Sequence, residues 1–328
     1  MEKSIISFPN LFGGIDIAVK RVAFSVFGID IYWYGLIIGL AFSIAVILVL
    51  RDAKKFGFDE DDIVNILLFA IPIGIIFARI FYVIFFVDAS WTFKDIINIR
   101  DGGLAIYGGL IGGIATALLY CKIKKIRFLE LGDLVVPYIA LAQAIGRWGN
   151  FVNQEAFGMN TRLPWGMTSA SISNQLSILG SFNGIKLYPS IPVHPTFIYE
   201  SIWSLLVFGL LFFIGRNKKF TGQIFSLYMM LYGFGRMFIE GLRIDSLLLG
   251  SIRINQVIGF VFFVFFGIIL LIISIGNRNN RNKITDMEYE NIGTSEFANI
   301  LKNKEEIEKS DKTTVEEIEL EQKKEIDK

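Results

Sequence analysis

The stretch Gly146-Arg147-Trp148-Gly149-Asn150-Phe151-Val152-Asn153-Gln154-Glu155-Ala156-Phe157-Gly158 puts an arginine, two carboxamides and a carboxylate at the end of a long apolar run. Such groups are costly inside a bilayer, and where they persist they face a polar cavity and mark a function. The glycines among them let backbone or ligand approach closely. The apolar run that leads in, from about Leu131, is long enough to span a membrane. The fold class follows from that pairing: a membrane helix that ends in chemistry.

The rest of the chain agrees. Hydrophobic residues make up 53% of 328 and the mean hydropathy is +0.53, too apolar for a soluble enzyme of this length. Apolar runs near twenty residues recur at about Ile31–Leu50, Ile63–Val87, Leu104–Cys121, Leu131–Phe151, Thr196–Ile214, Gly222–Glu240 and Ile254–Ile275. We therefore expect an all-α polytopic membrane protein of seven transmembrane helices. A mixed N-terminal arm precedes them, and residues 152–194, rich in Asn, Ser, Gly and Pro, form a small external cap between helices four and five. The seven-helix membrane body is residues 1–276. Residues 277–328 form a charged tail with few aromatics, expected to be disordered. No small-residue cleavage site marks a removable signal peptide. One cysteine, Cys121, and one histidine, His194, exclude a disulfide framework and a histidine-built metal centre.

Lysines and arginines set the orientation. They concentrate after spans one, three, five and seven, as in Arg51, Lys54 and Lys55, or Lys122, Lys124, Lys125 and Arg127. The opposite loops hold little beyond Lys94, Arg100, Arg162 and Lys186. The N-terminus and the cap are thus expected outside and the tail in the cytosol. In that topology Arg147 lies roughly 24 Å along span four and Arg236 roughly 21 Å along span six. Both reach the outer leaflet of a core about 30 Å thick. Arg79, Tyr34, Tyr107 and His194 fall at the same depth.

Within span six, Arg236, Glu240 and Arg243 stand at i, i+4 and i+7 and are expected on one helical face, with Glu240 aiming one or both arginines. Arg147 and Asn150 share a face of span four. Arginines at headgroup depth, each with a polar orienter, suit a phosphate, which the guanidinium fork binds by paired charge-assisted hydrogen bonds. If that phosphate departs, the same arginines stabilise the developing charge. Blander readings stand beside this one. Arg79 alone is as well read as structural, Gly102, Gly103, Gly108, Gly109, Gly112 and Gly113 as helix-packing residues, and Asp133 as a partner of the basic loop before it. His194 could equally anchor the cap.

These residues resemble the signature of the bacterial prolipoprotein diacylglyceryl transferases, G-R-x-G-N-F-x-N-x-E-x-x-G, met at Gly146, Arg147, Gly149, Asn150, Phe151, Asn153, Glu155 and Gly158. Similar segments follow the family's order: W-Y-G from Trp33, A-R-I-F-Y-V around Arg79, Y-G-G-L-I-G-G from Tyr107, H-P-T-F-I-Y-E from His194 and Y-G-F-G-R-M-F-I-E-G-L-R from Tyr232. The resemblance implies a multi-pass enzyme of the bacterial cytoplasmic (inner) membrane. It would move the diacylglyceryl group of phosphatidylglycerol to the lipobox cysteine of a prolipoprotein and release glycerol 1-phosphate, the first step of lipoprotein maturation. Neither metal, organic cofactor nor nucleic acid enters that reaction. Carried over, Arg147, Arg236, Tyr107, Glu155 and Glu240 are the catalytic candidates. Arg147, Asn150, Asn153, Gly158, Tyr34, Arg79, His194 and Arg243 are the substrate-binding ones. Two positions depart from the family's pattern, Tyr107 where histidine is common and Phe197 where glutamine is usual, so the general base stays unassigned. The rival readings are an anion transporter or a lipid-binding protein with the arginines as its phosphate site.

Overall fold

A computed structural model describes residues 4–86, 91–99 and 102–277. The contacts below lie within the compact unit Met1–Ile268. The expected tail falls almost wholly outside the described residues.

The N-terminal arm is two hairpins. β1 (Ser4–Phe8) pairs antiparallel with β2 (Ile15–Val19), and β3 (Val22–Val26) with β4 (Ile29–Tyr32), which runs directly into α1 (Trp33–Ala53). After a 3-10 turn over Lys54–Phe56, Gly57 at φ 76° closes the helix end, a left-handed position suited to glycine. α2 (Glu60–Phe86) opens with Glu60, Asp61 and Asp62, charges that suit a helix N-terminus. The short α3 (Phe93–Ile97) starts at a reciprocal Thr92–Asp95 capping box. α4 (Ile106–Lys124) lies along α2.

Two glycines permit that α2–α4 contact. A Cβ on Gly108 would overlap the Phe77 carbonyl and come within 2.9 Å of Ala78 Cα, and one on Gly112 would sit 2.7 Å from Phe77 Cβ. The helix-packing expectation therefore holds for Gly108 and Gly112, but Gly113 meets nothing. Gly102 and Gly103 lie in the preceding loop at φ 93° and 74°, where side chains are strained, so their role is to turn the chain.

α5 (Phe128–Asn153) is the hub. It packs against α1, α7 (Thr196–Gly215) and α8 (Gln223–Ile239), and it buries Leu131, Leu134, Val136, Ala140, Ala144 and Phe151 along its length. Asp133 on α5 is buried too, but its partner is not the loop before it. Its carboxylate accepts from Gly222 N at 2.7 Å and Phe225 N at 2.9 Å, capping α8 across the bundle, and it meets Lys218 at 3.4 Å. The free N–H groups at a helix start outcompete flexible surface lysines for a buried carboxylate. Cys121 is buried among Val49, Ile63, Ile66 and Leu131.

Residues 154–195 carry β5 (Thr168–Ser169), α6 (Ala170–Leu179) and the hairpin β6 (Ser181–Phe182) with β7 (Ile185–Lys186). β5 pairs with β1, and Ile6, Phe8 and Val19 of the arm share one apolar core with Phe157, Met167, Ile172, Leu176 and Val193. Phe197, at the position where glutamine was the family expectation, is buried in that core with its ring 4.8 Å from Phe151. Packing replaces the hydrogen bond there.

α8 ends in a 3-10 turn over Glu240–Leu242. The hairpin β8 (Leu248–Leu249) and β9 (Ile252–Arg253) then leads into α9 (Ile254–Asn277). α9 closes on α8 at Gly233, where a Cβ would stand 2.8 Å from Phe263 N. Among the described residues six helices, α1, α2, α4, α5, α7 and α9, are long and apolar enough to cross a membrane. α8, the sixth expected span, has 17 residues. Leu40, Leu68, Ile84, Leu119, Leu206 and Phe213 are all well exposed on these helices, as lipid-facing side chains are.

Candidate active site

The signature occupies the last two turns of α5 and the turn beyond. Gly149 is where α1 comes closest, for a Cβ there would lie 2.8 Å from the Tyr34 ring. The helix stops at Gln154, whose φ of 55° is left-handed, and the chain doubles back so that Glu155 faces the helix end. One oxygen of Glu155 accepts from Asn150 Nδ2 at 3.0 Å and Asn153 Nδ2 at 3.3 Å. Asn150 Oδ1 in turn receives Arg147 Nη1 at 3.5 Å. Arg147, Asn150, Asn153 and Glu155 are thus one chain of polar contacts.

The other end of Arg147 meets a residue that the sequence reading did not single out. Glu200, in the second turn of α7, takes Arg147 Nη2 at 2.5 Å, Arg243 Nη1 at 2.7 Å and, more loosely, Arg236 Nη1 at 3.6 Å. A buried carboxylate that gathers three guanidiniums from three elements is the organising group of the site. Its signal was available: it is the lone charged residue of an otherwise apolar span, inside a segment already quoted for its histidine.

Arg236 and Glu240 form the expected i, i+4 pair at 2.9 Å. Arg243 does not join them on a helical face. The helix tightens into the 3-10 turn and the chain becomes extended at Arg243 (φ −77°, ψ 147°), so this arginine turns to Glu200 and to Asp245. With Asp245 it makes a two-pronged pair, Nε to Oδ1 at 2.9 Å and Nη2 to Oδ2 at 2.7 Å. Burial works against its charge, but Asp245 and Glu200 outweigh it and hold the guanidinium above its ordinary pKa. Tyr107 joins from α4: its hydroxyl donates to Asn255 Oδ1, and Asn255 Nδ2 donates to Glu240 Oε1 at 2.9 Å.

The cluster balances three arginines with Glu200, Glu240 and Asp245, yet the match is uneven. Arg236 Nη1 is buried with no hydrogen-bond acceptor among the described residues. Arg236 lines a small cleft between α5, α7 and α8, together with Gln143, Arg147, Glu200, Trp203 and Tyr232. A larger cavity lies at the other end of these helices, lined by Arg51, Asp52, Asp133, Tyr138 and Lys218, and holds none of the signature residues. The smaller one is lined by Arg147 and Arg236, both paired with Glu200.

Three candidates stand apart. Arg79 binds backbone only: Nε to Ile96 O at 2.9 Å, Nη1 to Gly102 O at 3.1 Å and Gly103 O at 2.8 Å, and Nη2 to Asp95 O at 2.5 Å, with its plane near Tyr82 and Trp91. This guanidinium is held by carbonyls of α3 and of the loop between α3 and α4. His194 touches Tyr199 Oη through Nδ1 at 3.2 Å, and burial lowers its pKa, so it is neutral at pH 7. Its main chain holds Gly158 N and Met159 O. Gly158 itself has no room for a side chain, with His194 Cβ 2.8 Å and Leu242 O 2.9 Å from where a Cβ would be.

A family model described as prolipoprotein diacylglyceryl transferase matches residues 21–273. The chain belongs to that family. It is 45% identical over 267 residues to the phosphatidylglycerol–prolipoprotein diacylglyceryl transferase of Clostridioides difficile (strain 630), covering 80% of this chain and 98% of the relative. The protein of the same name from Finegoldia magna is 47% identical over 242 residues, 73% of this chain and 90% of the relative. That of Listeria innocua is 44% identical over 248 residues, covering 73% and 84%. The arginine cluster and its cleft lie inside the matched range.

Proposed function

We propose that this membrane enzyme transfers the diacylglyceryl group of phosphatidylglycerol to the lipobox cysteine thiol of prolipoproteins and releases glycerol 1-phosphate. The thiolate sulfur bonds to the glyceryl carbon while that carbon's bond to the phosphate oxygen breaks, and the electron pair leaves with the phosphate. The thiol proton passes to a base. The demand on the protein is therefore a cationic seat for the departing phosphate and a means of generating thiolate, the reactive form.

One observation carries this reading. Arg147 and Arg236 converge from different helices on a single carboxylate beside a cleft, and one Arg236 nitrogen lacks an acceptor. A phosphate oxygen is the acceptor that such a pair fits, and Glu200 keeps both guanidiniums aimed before it arrives. Asn150, Asn153 and Glu155 set the position of Arg147. Arg243 braces Glu200 and Asp245 rather than meeting lipid, Gly158 lets the cap close on its supporting loop, and Tyr34 covers the α1 side. His194 and Arg79 act as supports.

The assay is purified protein with phosphatidylglycerol and a lipobox peptide, followed by glycerol-phosphate release and the peptide's mass gain. A cysteine-to-serine peptide is the control. Release that does not depend on the thiol overturns the reading.

For the topology we propose seven spans, α8 included, with the arm and the 152–194 cap outside the cytoplasmic membrane and the tail inside. The lysine and arginine asymmetry supports this, and α8 plus its 3-10 turn extends roughly 30 Å at 1.5 Å per residue. Because Cys121 is the chain's sole thiol and is buried, single cysteines at Asn183 and Lys218 can be labelled by an impermeant maleimide in whole cells. Labelling at Asn183 and protection at Lys218 is the expected result; the reverse refutes the orientation.

A further inference from the structure

Asn255 belongs to no motif of the sequence and stands at the start of α9, far along the chain from the other site residues. Its side chain nevertheless joins two of them. The amide has one acceptor oxygen and an NH₂ that only donates. Nδ2 donates to Glu240 Oε1 at 2.9 Å, and Oδ1 receives the hydroxyl of Tyr107. The polarity is therefore fixed from one end: with the NH₂ on a carboxylate, the oxygen faces the phenol, and the phenol must be a donor.

We infer that Asn255 is a positioning residue of this transferase, which holds Tyr107 and Glu240 in register with Arg236; the inference rests on the proposed reaction. Glu240 is wholly buried. Its Oε1 accepts from Asn255, its Oε2 is ion-paired with Arg236 Nη2 at 2.9 Å without hydrogen-bond geometry, and its carbonyl accepts from Arg253 Nη1 at 2.6 Å. Asn255 thus leaves Oε2 to the arginine and helps set how that arginine presents Nη1, which meets Glu200 at 3.6 Å and makes no hydrogen bond among the described residues. At the other end, Tyr107 is partly exposed and has committed its proton to the amide. Its oxygen keeps lone pairs for an incoming S–H or hydroxyl, which assigns the tyrosine at this position the work of an acceptor that orients substrate. Full ionisation of the phenol is not required.

The test is a double-mutant cycle of Tyr107→Phe and Asn255→Ala in the lipobox-peptide assay on detergent-purified full-length protein. Each single change is expected to lower kcat/KM about tenfold, the order of one hydrogen bond to a charged network. The double variant should fall no more than about twofold further, because the two residues act through one link. Independent, multiplicative losses overturn the proposal, as does wild-type kcat/KM for Asn255→Ala. Tyr107→Phe keeps the ring and serves if the alanine variant does not fold.

A second readout separates positioning from mere support. Asn255→Asp sets a carboxyl against Glu240, with Arg236 and Arg253 as the neighbouring cations and Tyr107 as the neighbouring titratable group. Like charges that close cannot both ionise. This variant should be nearly inactive at pH 8 and recover relative to wild type as pH falls and one proton is shared between the two carboxyls. A loss that does not change with pH overturns the role. If wild type itself releases no glycerol phosphate in a thiol-dependent manner, the transferase reading fails and the relay's catalytic role with it. An active wild type with an unaffected Asn255→Ala sinks the relay alone.

Discussion

Two arginine sites at similar depth can be compared directly. Among the described residues, Arg79 donates to the main-chain carbonyls of Asp95, Ile96, Gly102 and Gly103. Arg147, Arg236 and Arg243 face side-chain carboxylates, chiefly Glu200. A carbonyl held by arginine is a fixed part of a loop, and an arginine so held is closed to ligand. A carboxylate shared by three arginines leaves Arg236 Nη1 without a hydrogen bond, a donor that an anion bringing more oxygens could take. What an intramembrane arginine does is read from its acceptors, not from its depth.

The strongest way to break that comparison is to remove the open arginines. Arg147→Ala and Arg236→Ala should each reduce kcat by about 10²–10³-fold or more, the scale seen when a donor to a developing anion is lost. Both proteins should remain inserted, as checked by membrane fractionation alongside the peptide assay. Normal turnover in either removes the leaving-group role. Glu200→Gln comes next. It keeps the shape but leaves three guanidiniums to repel one another, and breaking a buried ion pair costs about 3–5 kcal/mol. We expect a loss of roughly 10–100-fold in kcat/KM together with a lower Tm in detergent, on the same energy scale. A fully active, equally stable variant would mean that Glu200 is a bystander. Arg79→Ala should have the smallest effect on chemistry. Its carbonyls lose their donors at about 1–3 kcal/mol each where buried, so Tm should drop by several degrees. The kcat/KM of the folded fraction should stay within about threefold. A rate loss like that of Arg147→Ala at unchanged Tm would erase the distinction between the two sites.

Much of this was legible in the residues. Apolar run length located the long helices within a few residues, because a bilayer permits few alternatives to a continuous helix. The signature stretch and Arg236, paired in the sequence by expected depth, do come together, both meeting Glu200. Other features were not legible for identifiable reasons. Glu200 stood next to a histidine that drew attention, and a single carboxylate in an apolar span carries no periodicity. Asn255 has a short neutral side chain whose meaning lies wholly in its two partners, 148 residues away at Tyr107 and 15 away at Glu240. The helical spacing of Arg236, Glu240 and Arg243 misled because spacing assumes that a helix continues, and this one ends at Ile239. Arg79 looked like its functional counterparts because depth alone does not distinguish a carbonyl cage from a carboxylate.

The N-terminal arm carries one more consequence, concerning time. β1 completes its sheet only with β5, and Ser4 receives its hydrogen bond from Gln154, 150 residues later in the chain. Arg21 likewise waits for the carbonyl of Asn153, 132 residues on. A ribosome adding about 5–20 residues per second needs roughly 8–30 s to make that intervening length. Throughout that interval β1 has β2 but not β5 to pair with, and its apolar side chains Ile6 and Phe8 lack most of the core that buries them. The arm thus settles long after it is made, and it is its settling that fastens the turn beyond Arg147.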